Sequence, residues 1–300
     1  MAQVPVVELV KARKDYGRTR ALNDVDLRIE AGEVVAVLGP NGAGKTTAIS
    51  LMLGLRKPTS GEVRLLGRSP TDPVARSRCG AMLQESGVPD LLTVRELVEL
   101  FSSYYPRRLP AGEAIRKAGL EGKAGSRFGT LSGGQQQRLY YALAICGDPE
   151  VLFLDEPTVG LDVEGRRAFL SDLKQWVAAG RTIVLTTHYL EEADQLAQRI
   201  VVIDRGTVIA DAPPAVIKSR VAGKKVVFRF RGTPPREVLD TLPSSSLEVD
   251  GDAVRILSTE PVAVVREVMR RAGEDVVDID VEGADLEEAF VHLTHEAGRG

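Results

Sequence analysis

Four short stretches of the chain, Val34–Leu38, Val151–Leu154, Thr182–Thr186 and Ile200–Ile203, read as near-continuous apolar runs. A strand with one wet face alternates apolar and polar residues, whereas a strand covered on both faces has no polar side to show, as in parallel sheets. Helical spacing fills the gaps, at Lys45–Leu53, Gln135–Ile145, Glu164–Ala178 and Leu190–Gln198. Strand and helix alternating in this way predict an α/β fold around a parallel sheet. Val6–Val10, Val25–Ile29 and Glu62–Leu66 look different, half-buried and separated by turns, and are expected as antiparallel strands at one edge. Residues 88–128 are polar with helical spacing, so a helical subdomain of about 85–147 is expected as an insert.

The end of the chain has its own rhythm. Lys225–Phe230 reads as a strand, Pro235–Leu242 as a short helix, and Leu247–Val249 with Val254–Leu257 as a hairpin around Asp250-Gly251, a dipeptide that supplies the positive φ of a tight turn. Helix Val262–Ala272, strand Val276–Val281 and helix Asp285–Glu296 follow, the last opening on an Asp285/Glu288 capping box. The order βαββαβ plus a helix predicts a small α+β, ferredoxin-like domain. Ala212-Pro213-Pro214 precedes it and can continue neither a helix nor a central strand, which places the boundary near 213–224. The expected domains are therefore 1–215 and 222–300.

Charge divides at the same seam. Residues 221–300 carry ten Lys and Arg against sixteen Asp and Glu, a net charge of −6, while the remainder nets +3. The whole chain, 300 residues at net charge −3, is not the strongly basic protein that a general nucleic-acid binder would be. Two cysteines in no CxxC spacing argue against a disulfide scaffold or zinc ribbon and for a reducing compartment. No apolar run approaches the ~18 residues of a membrane span, and the first residues lack a signal-peptide core. A cytoplasmic protein is the expectation.

Candidate chemistry begins directly after the first buried run. Gly39-Pro40-Asn41-Gly42-Ala43-Gly44-Lys45-Thr46-Thr47 fits the pattern GxxxxGK[ST] of a P-loop NTPase. Glycines let backbone N–H groups turn inward as a phosphate cradle, and the helix that follows adds its positive end. Lys45 then reaches the β- and γ-phosphates, and the Thr46 hydroxyl is a ligand for Mg²⁺. Further on, Val151–Leu154 runs into Asp155-Glu156. A buried strand can place acids only at its exposed C-terminal end, where ligands bind in open α/β sheets. Asp155 would hold Mg²⁺, directly or through water, and Glu156 would polarise an attacking water.

Leu131-Ser132-Gly133-Gly134-Gln135 stands between these two nucleotide motifs and opens a helix, a second ready anion site. LSGGQ in that place resembles the signature of the ATP-binding-cassette (ABC) family, and residues 4–214 carry the rest of its pattern. Tyr16 matches the aromatic that stacks on adenine, and Gln84 matches the glutamine that touches the Mg²⁺ site and senses the membrane partner. Asp162, in Gly160-Leu161-Asp162, matches the D-loop, and His188, in Thr186-Thr187-His188, the switch histidine that contacts the γ-phosphate.

The resemblance implies a motor that hydrolyses ATP. Two copies face head to tail with ATP between the Lys45 loop of one and the Ser132 turn of the other. Glu156 is the general base, positioned by His188, while Lys45 and Mg²⁺ offset transition-state charge. It also implies a separate transmembrane permease subunit, and hence a place on the inner face of the cell membrane. Thr187-His188-Tyr189-Leu190-Glu191-Glu192-Ala193-Asp194 and Asp285–Thr294 are similar to cassettes of drug, antibiotic and polysaccharide exporters, daunorubicin-type ones included. Gln135-Gln136-Gln137-Arg138 departs from the Met-Lys-Arg-Arg frequent in that group. A soluble cassette ATPase with a non-transport role, or a cassette that binds without turnover, are the alternatives. His292 and His295 stand i, i+3 on the last helix with no further ligand arranged beside them, which favours a solvated face over a metal site. The tail is expected to serve dimerisation or regulation.

Overall fold

The computed structural model describes residues 4–84, 87–219, 223–244, 246–283 and 285–297. Glu85, at the start of the expected helical subdomain, and residues 220–222 of the expected boundary lie outside them. The chain divides into two compact units, Met1–Pro213 and Pro214–Gly300.

In the first unit the elements run β1 (Val7–Tyr16), β2 (Thr19–Ile29), β3 (Val34–Leu38), α1 (Lys45–Met52), β4 (Ser60–Leu65), α2 (Pro73–Arg76), β5 (Cys79–Met82), α3 (Val94–Ser102) and α4 (Ala111–Lys117). They continue with α5 (Gly133–Ile145), β6 (Val151–Asp155), α6 (Val163–Ala178), β7 (Thr182–Thr186), α7 (Leu190–Leu196), β8 (Arg199–Asp204) and β9 (Thr207–Ala212). Six strands form one sheet in the order β5-β6-β7-β3-β8-β9. Every pair is parallel except β8 with β9, so the sheet is mixed. All five residues of each of β3, β6 and β7 are buried, as their uninterrupted patterns require.

The antiparallel strands do not extend that sheet. They hydrogen-bond among themselves as a second sheet, β2-β1-β4. Leu9, Leu27 and Ile29 from this sheet share one core with Val35, Val37, Ile49, Met52 and Phe153. Burying each such side chain contributes about 1.5–3 kcal/mol. β1 and β2 run well beyond the expected Val6–Val10 and Val25–Ile29, to Tyr16 and back to Thr19, because bulges break the alternation that would have revealed them. The insert is less helical than its polarity suggested. Only α3, α4 and two single 3₁₀ turns form between 88 and 128, in a segment broken by Pro106, Pro110 and Gly119. The helix expected to run through Gln198 ends at Leu196.

The second unit contains α8 (Pro214–Lys218), β10 (Lys224–Phe230), α9 (Arg236–Leu239), β11 (Ser246–Asp250), β12 (Ala253–Ser258), α10 (Pro261–Ala272), β13 (Val276–Gly283) and α11 (Leu286–Ala297). Its antiparallel sheet has the order β11-β12-β10-β13, a split βαβ arrangement. α10 presents Val264 and Val268, one turn apart, to a core of Val226, Phe228, Phe230, Val254 and Ile256. α9 is one turn long, not the longer helix expected over Pro235–Leu242. Asp285 and Glu288 cap α11 reciprocally, each backbone N–H donating to the other's carboxylate at 2.8 and 2.9 Å. Among the described residues no helix is long and apolar enough to cross a membrane.

Candidate active site

Strand order decides which loops meet. β7 lies between β3 and β6, and β5 flanks β6 on the other side. Their parallel course brings all four C-terminal ends to one edge, where open α/β sheets bind ligands. The register is specific: Thr186 pairs with both Val37 and Asp155, and Met82 pairs with Leu154. Gln84 and Glu156 therefore each lie two residues beyond a paired position, and His188 two beyond Thr186.

The loop after β3 follows from its glycines. Gly39 has φ 159° and a Cβ there would stand 2.1 Å from the Ile203 carbonyl oxygen. At Gly44, the N-cap of α1 with φ 110°, a Cβ would meet the Ala21 carbonyl oxygen at 2.4 Å. Neither place tolerates a side chain, and Gly44 occupies backbone space that L-residues avoid. Asn41, Gly42 and Thr46 are exposed, Pro40, Gly44 and Thr47 partly so, and Ala43 is buried. The first amides of α1 have no carbonyl behind them and face whatever the loop holds. Lys45 is 6% exposed and its ammonium donates to the carbonyl oxygens of Gly39 at 2.7 Å and Pro40 at 3.1 Å. Burial pulls its pKa below the ordinary lysine value, against the opposing pull of Glu156 and Asp155. A positive charge is thus held in the loop at a desolvation cost that an anionic ligand would relieve.

Asp155, at the end of β6, is 1% exposed. Its Oδ1 accepts from the Thr186 hydroxyl at 2.5 Å, and its Oδ2 is buried without a partner. A buried carboxylate oxygen left unpaired is costly unless a cation or water completes it. That orphan oxygen, with the Thr46 hydroxyl in the first turn of α1 as a second candidate oxygen donor at the same end of the sheet, fits a hard cation that takes oxygen ligands and keeps its waters. Among the described residues no group of three His, Cys, Asp or Glu gathers into a metal cluster, and His292 and His295 are exposed on α11.

Glu156 is held in a strained conformation, φ 53°, which non-glycine residues seldom adopt. Its N–H donates to the carbonyl oxygen of Thr186 at 3.1 Å and to the Thr186 hydroxyl at 3.0 Å. The carboxylate is grasped on both sides: Gln84 Nε2 donates to Oε2 at 3.3 Å, and His188 Nε2 lies 2.6 Å from Oε1. The structure thus brings Gln84, Asp155, Glu156 and His188 together. Thr186, quoted only as the residue that opens the His188 segment and given no role of its own, ties Asp155 to Glu156. Its only signal in the sequence is a polar residue closing a buried run.

The remaining expected residues stand elsewhere. Ser132 caps α5 in a reciprocal box, its hydroxyl accepting from the Gln135 N–H at 3.4 Å and its N–H donating to Gln135 Oε1 at 3.1 Å. A Cβ on Gly134 would meet Leu161 at 3.6 Å, so this turn neighbours the segment of Asp162. Gly133 at the exposed start of α5 meets nothing. Asp162 caps α6, accepting from the Gly165 N–H at 2.7 Å. Tyr16 ends β1, 43% exposed, with the Lys14 ammonium 5.2 Å from its ring centroid.

These features have relatives among known proteins. The family description "ABC transporter" matches residues 22–159. The chain is 36% identical to the daunorubicin resistance ATP-binding protein DrrA3 of Streptomyces coeruleorubidus, over 96% of this chain and 95% of that one. It is 35% identical to the Nod factor export ATP-binding protein I of Cupriavidus pinatubonensis (strain JMP 134 / LMG 1197), over 98% and 92%. Among solved structures, the ATP-binding subunit of an ABC transporter matches with TM-score 0.66 at 28% identity, over 72% of this chain and 92% of that one. An ATP-binding cassette solved as a dimer, in a post-hydrolysis state with ADP and Pi, matches with TM-score 0.64 at 31% identity, over 69% and 98%.

Proposed function

The chain belongs to the ABC transporter family and is an ATPase subunit of the drug-exporter type; from that premise we propose how its residues divide the work. Glu156 acts as the general base, taking a proton from the water that attacks the γ-phosphate. His188 and Gln84 hold the two carboxylate oxygens, so the base keeps one orientation. Lys45 and the backbone N–H groups of the 39–47 loop that the fold leaves available, Pro40 having none and that of Ala43 donating to the Pro40 carbonyl oxygen, bind the triphosphate, and Thr46 with the free oxygen of Asp155 would hold Mg²⁺. When bound, Mg²⁺ neutralises charge on the phosphate oxygens. Tyr16 stacks on the adenine. The observation that carries this reading is the double grip on Glu156 beside a buried carboxylate oxygen that lacks a partner.

Two copies face head to tail, with ATP between the Lys45 loop of one and the Ser132 turn of the other. In favour of this, the Ser132 turn neighbours the segment of Asp162, and a dimeric cassette is among the similar structures. ATP then bridges two positive helix ends and its hydrolysis lets the dimer open. A separate transmembrane subunit, recruited near Gln84 and the helical insert, carries the cargo path, and the chain sits at the cytoplasmic face of the membrane. The cargo is of the exporter class of drugs, antibiotics, lipids or polysaccharides, in line with the Nod factor export and daunorubicin resistance of the similar proteins' names. Residues 222–300 strengthen the dimer, and their removal weakens it.

The test is ATP-dependent dimerisation of Glu156→Gln, followed by sedimentation. A stable dimer with ATP but not ADP supports the arrangement; a monomer at saturating ATP overturns it.

A further inference from the structure

We propose that Glu192 is a positioning residue for ATP hydrolysis, bracing the loop of His188 against the segment that follows Glu156. The inference rests on the reading of Glu156 and His188 as the hydrolytic pair and adds what holds them in register.

Glu192 lies in the first turn of α7 and is 2% exposed, whereas its neighbour Glu191 faces solvent. A carboxylate this buried is tolerated only when its oxygens are fully engaged. Here Oε1 accepts from the Thr158 hydroxyl at 2.7 Å and Oε2 from the Thr187 hydroxyl at 2.7 Å. Arg166 supplies the counter-charge, its Nε 3.5 Å from Oε1. Thr158 is two residues beyond Glu156, and Thr187 directly precedes His188. One rigid carboxylate therefore spans the two segments whose side chains meet at 2.6 Å.

The far side of His188 is pinned by the same hub. The Thr187 hydroxyl, having donated to Glu192, accepts from the Tyr189 N–H at 2.9 Å. The Arg166 guanidinium lies over the Tyr189 ring, 3.6 Å from its centroid. Both neighbours of His188 are thus fixed through partners of Glu192, while the imidazole itself is 40% exposed and little constrained by packing. Contacts that hold a reacting geometry act on kcat more than on substrate affinity.

The experiment uses the full-length chain with Mg·ATP and three variants, Glu192→Gln, Thr158→Val and Thr158→Ser. Glu192→Gln and Thr158→Val should lower kcat by about tenfold or more with KM for ATP little changed. Thr158→Ser, which keeps the hydroxyl, should restore it. The chain has three histidines, so its imidazole NMR signals are few, and His188→Ala identifies one of them. In Glu192→Gln the His188 signal should shift while those of His292 and His295 stay. Wild-type kcat in Glu192→Gln, an unmoved His188 signal, or Thr158→Ser as slow as Thr158→Val would each overturn the brace. If His188→Ala itself turns over normally, the hydrolytic reading fails first and the brace with it.

Discussion

His188 and Glu156 meet at 2.6 Å between Nε2 and Oε1, each just beyond the end of one of two adjacent parallel strands. Replacing His188 by Ala leaves Glu156 with Gln84 as its remaining side-chain grip. Turnover should fall about a hundredfold or more, the order of what a well-placed general base contributes and a misplaced one forfeits. Nucleotide affinity should change little, which equilibrium titration with a fluorescent ATP analogue measures.

Thr186 serves both carboxylates, donating to Asp155 Oδ1 at 2.5 Å and accepting from the Glu156 N–H at 3.0 Å. Thr186→Val keeps the shape but leaves Asp155 buried with no partner for either oxygen. The loss should be about 1–3 kcal/mol of stability, read from denaturant unfolding. Thr186→Ser should recover most of it.

Lys45 provides a proton signature. Burial depresses its pKa from the ordinary 10.5, so in the fold its charged form is disfavoured. The sign follows: its unfavourable contribution to stability is fully present below the folded pKa and is relieved as pH rises toward 10.5. Anionic phosphates favour the charged form and raise that pKa. Nucleotide binding should therefore take up protons in the alkaline window below the ordinary lysine value and none from Lys45 near neutrality. Calorimetric titration in two buffers of different ionisation enthalpy reads this directly, and Lys45→Met should abolish the alkaline uptake.

The second unit has its own core, in which Phe228 is fully buried between α10 and the sheet. Phe228→Ala should cost that unit about 3–5 kcal/mol. Differential scanning calorimetry should show a transition moved to lower temperature, with ATP affinity unaffected.

What could be read from the chain in advance is what sits in contiguous residues. The loop 39–47, the buried run into Asp155-Glu156 and LSGGQ each carry their chemistry within a few positions. The roles of Thr186 and Thr158 were not legible, because their partners lie 30 or more residues away and come together only through strand order, and the tie from Glu192 to Thr158 is hidden in the same way. Of the adjacent acids Glu191 and Glu192, the fold exposes the first and buries the second. The same holds for strands. β3, β6 and β7 announce themselves by being apolar throughout, whereas β9 is a half-exposed edge with no period to detect. In β1, Lys11 at φ 46° interrupts the alternation, which hid its second half.

Phosphate release from ATP by the full-length chain, wild type against Glu156→Gln with nucleotide affinity determined on the same samples, tests the central assignment most directly. With Glu156 as the base, release falls about a thousandfold or more and affinity is retained. Near-wild-type release from Glu156→Gln would contradict it.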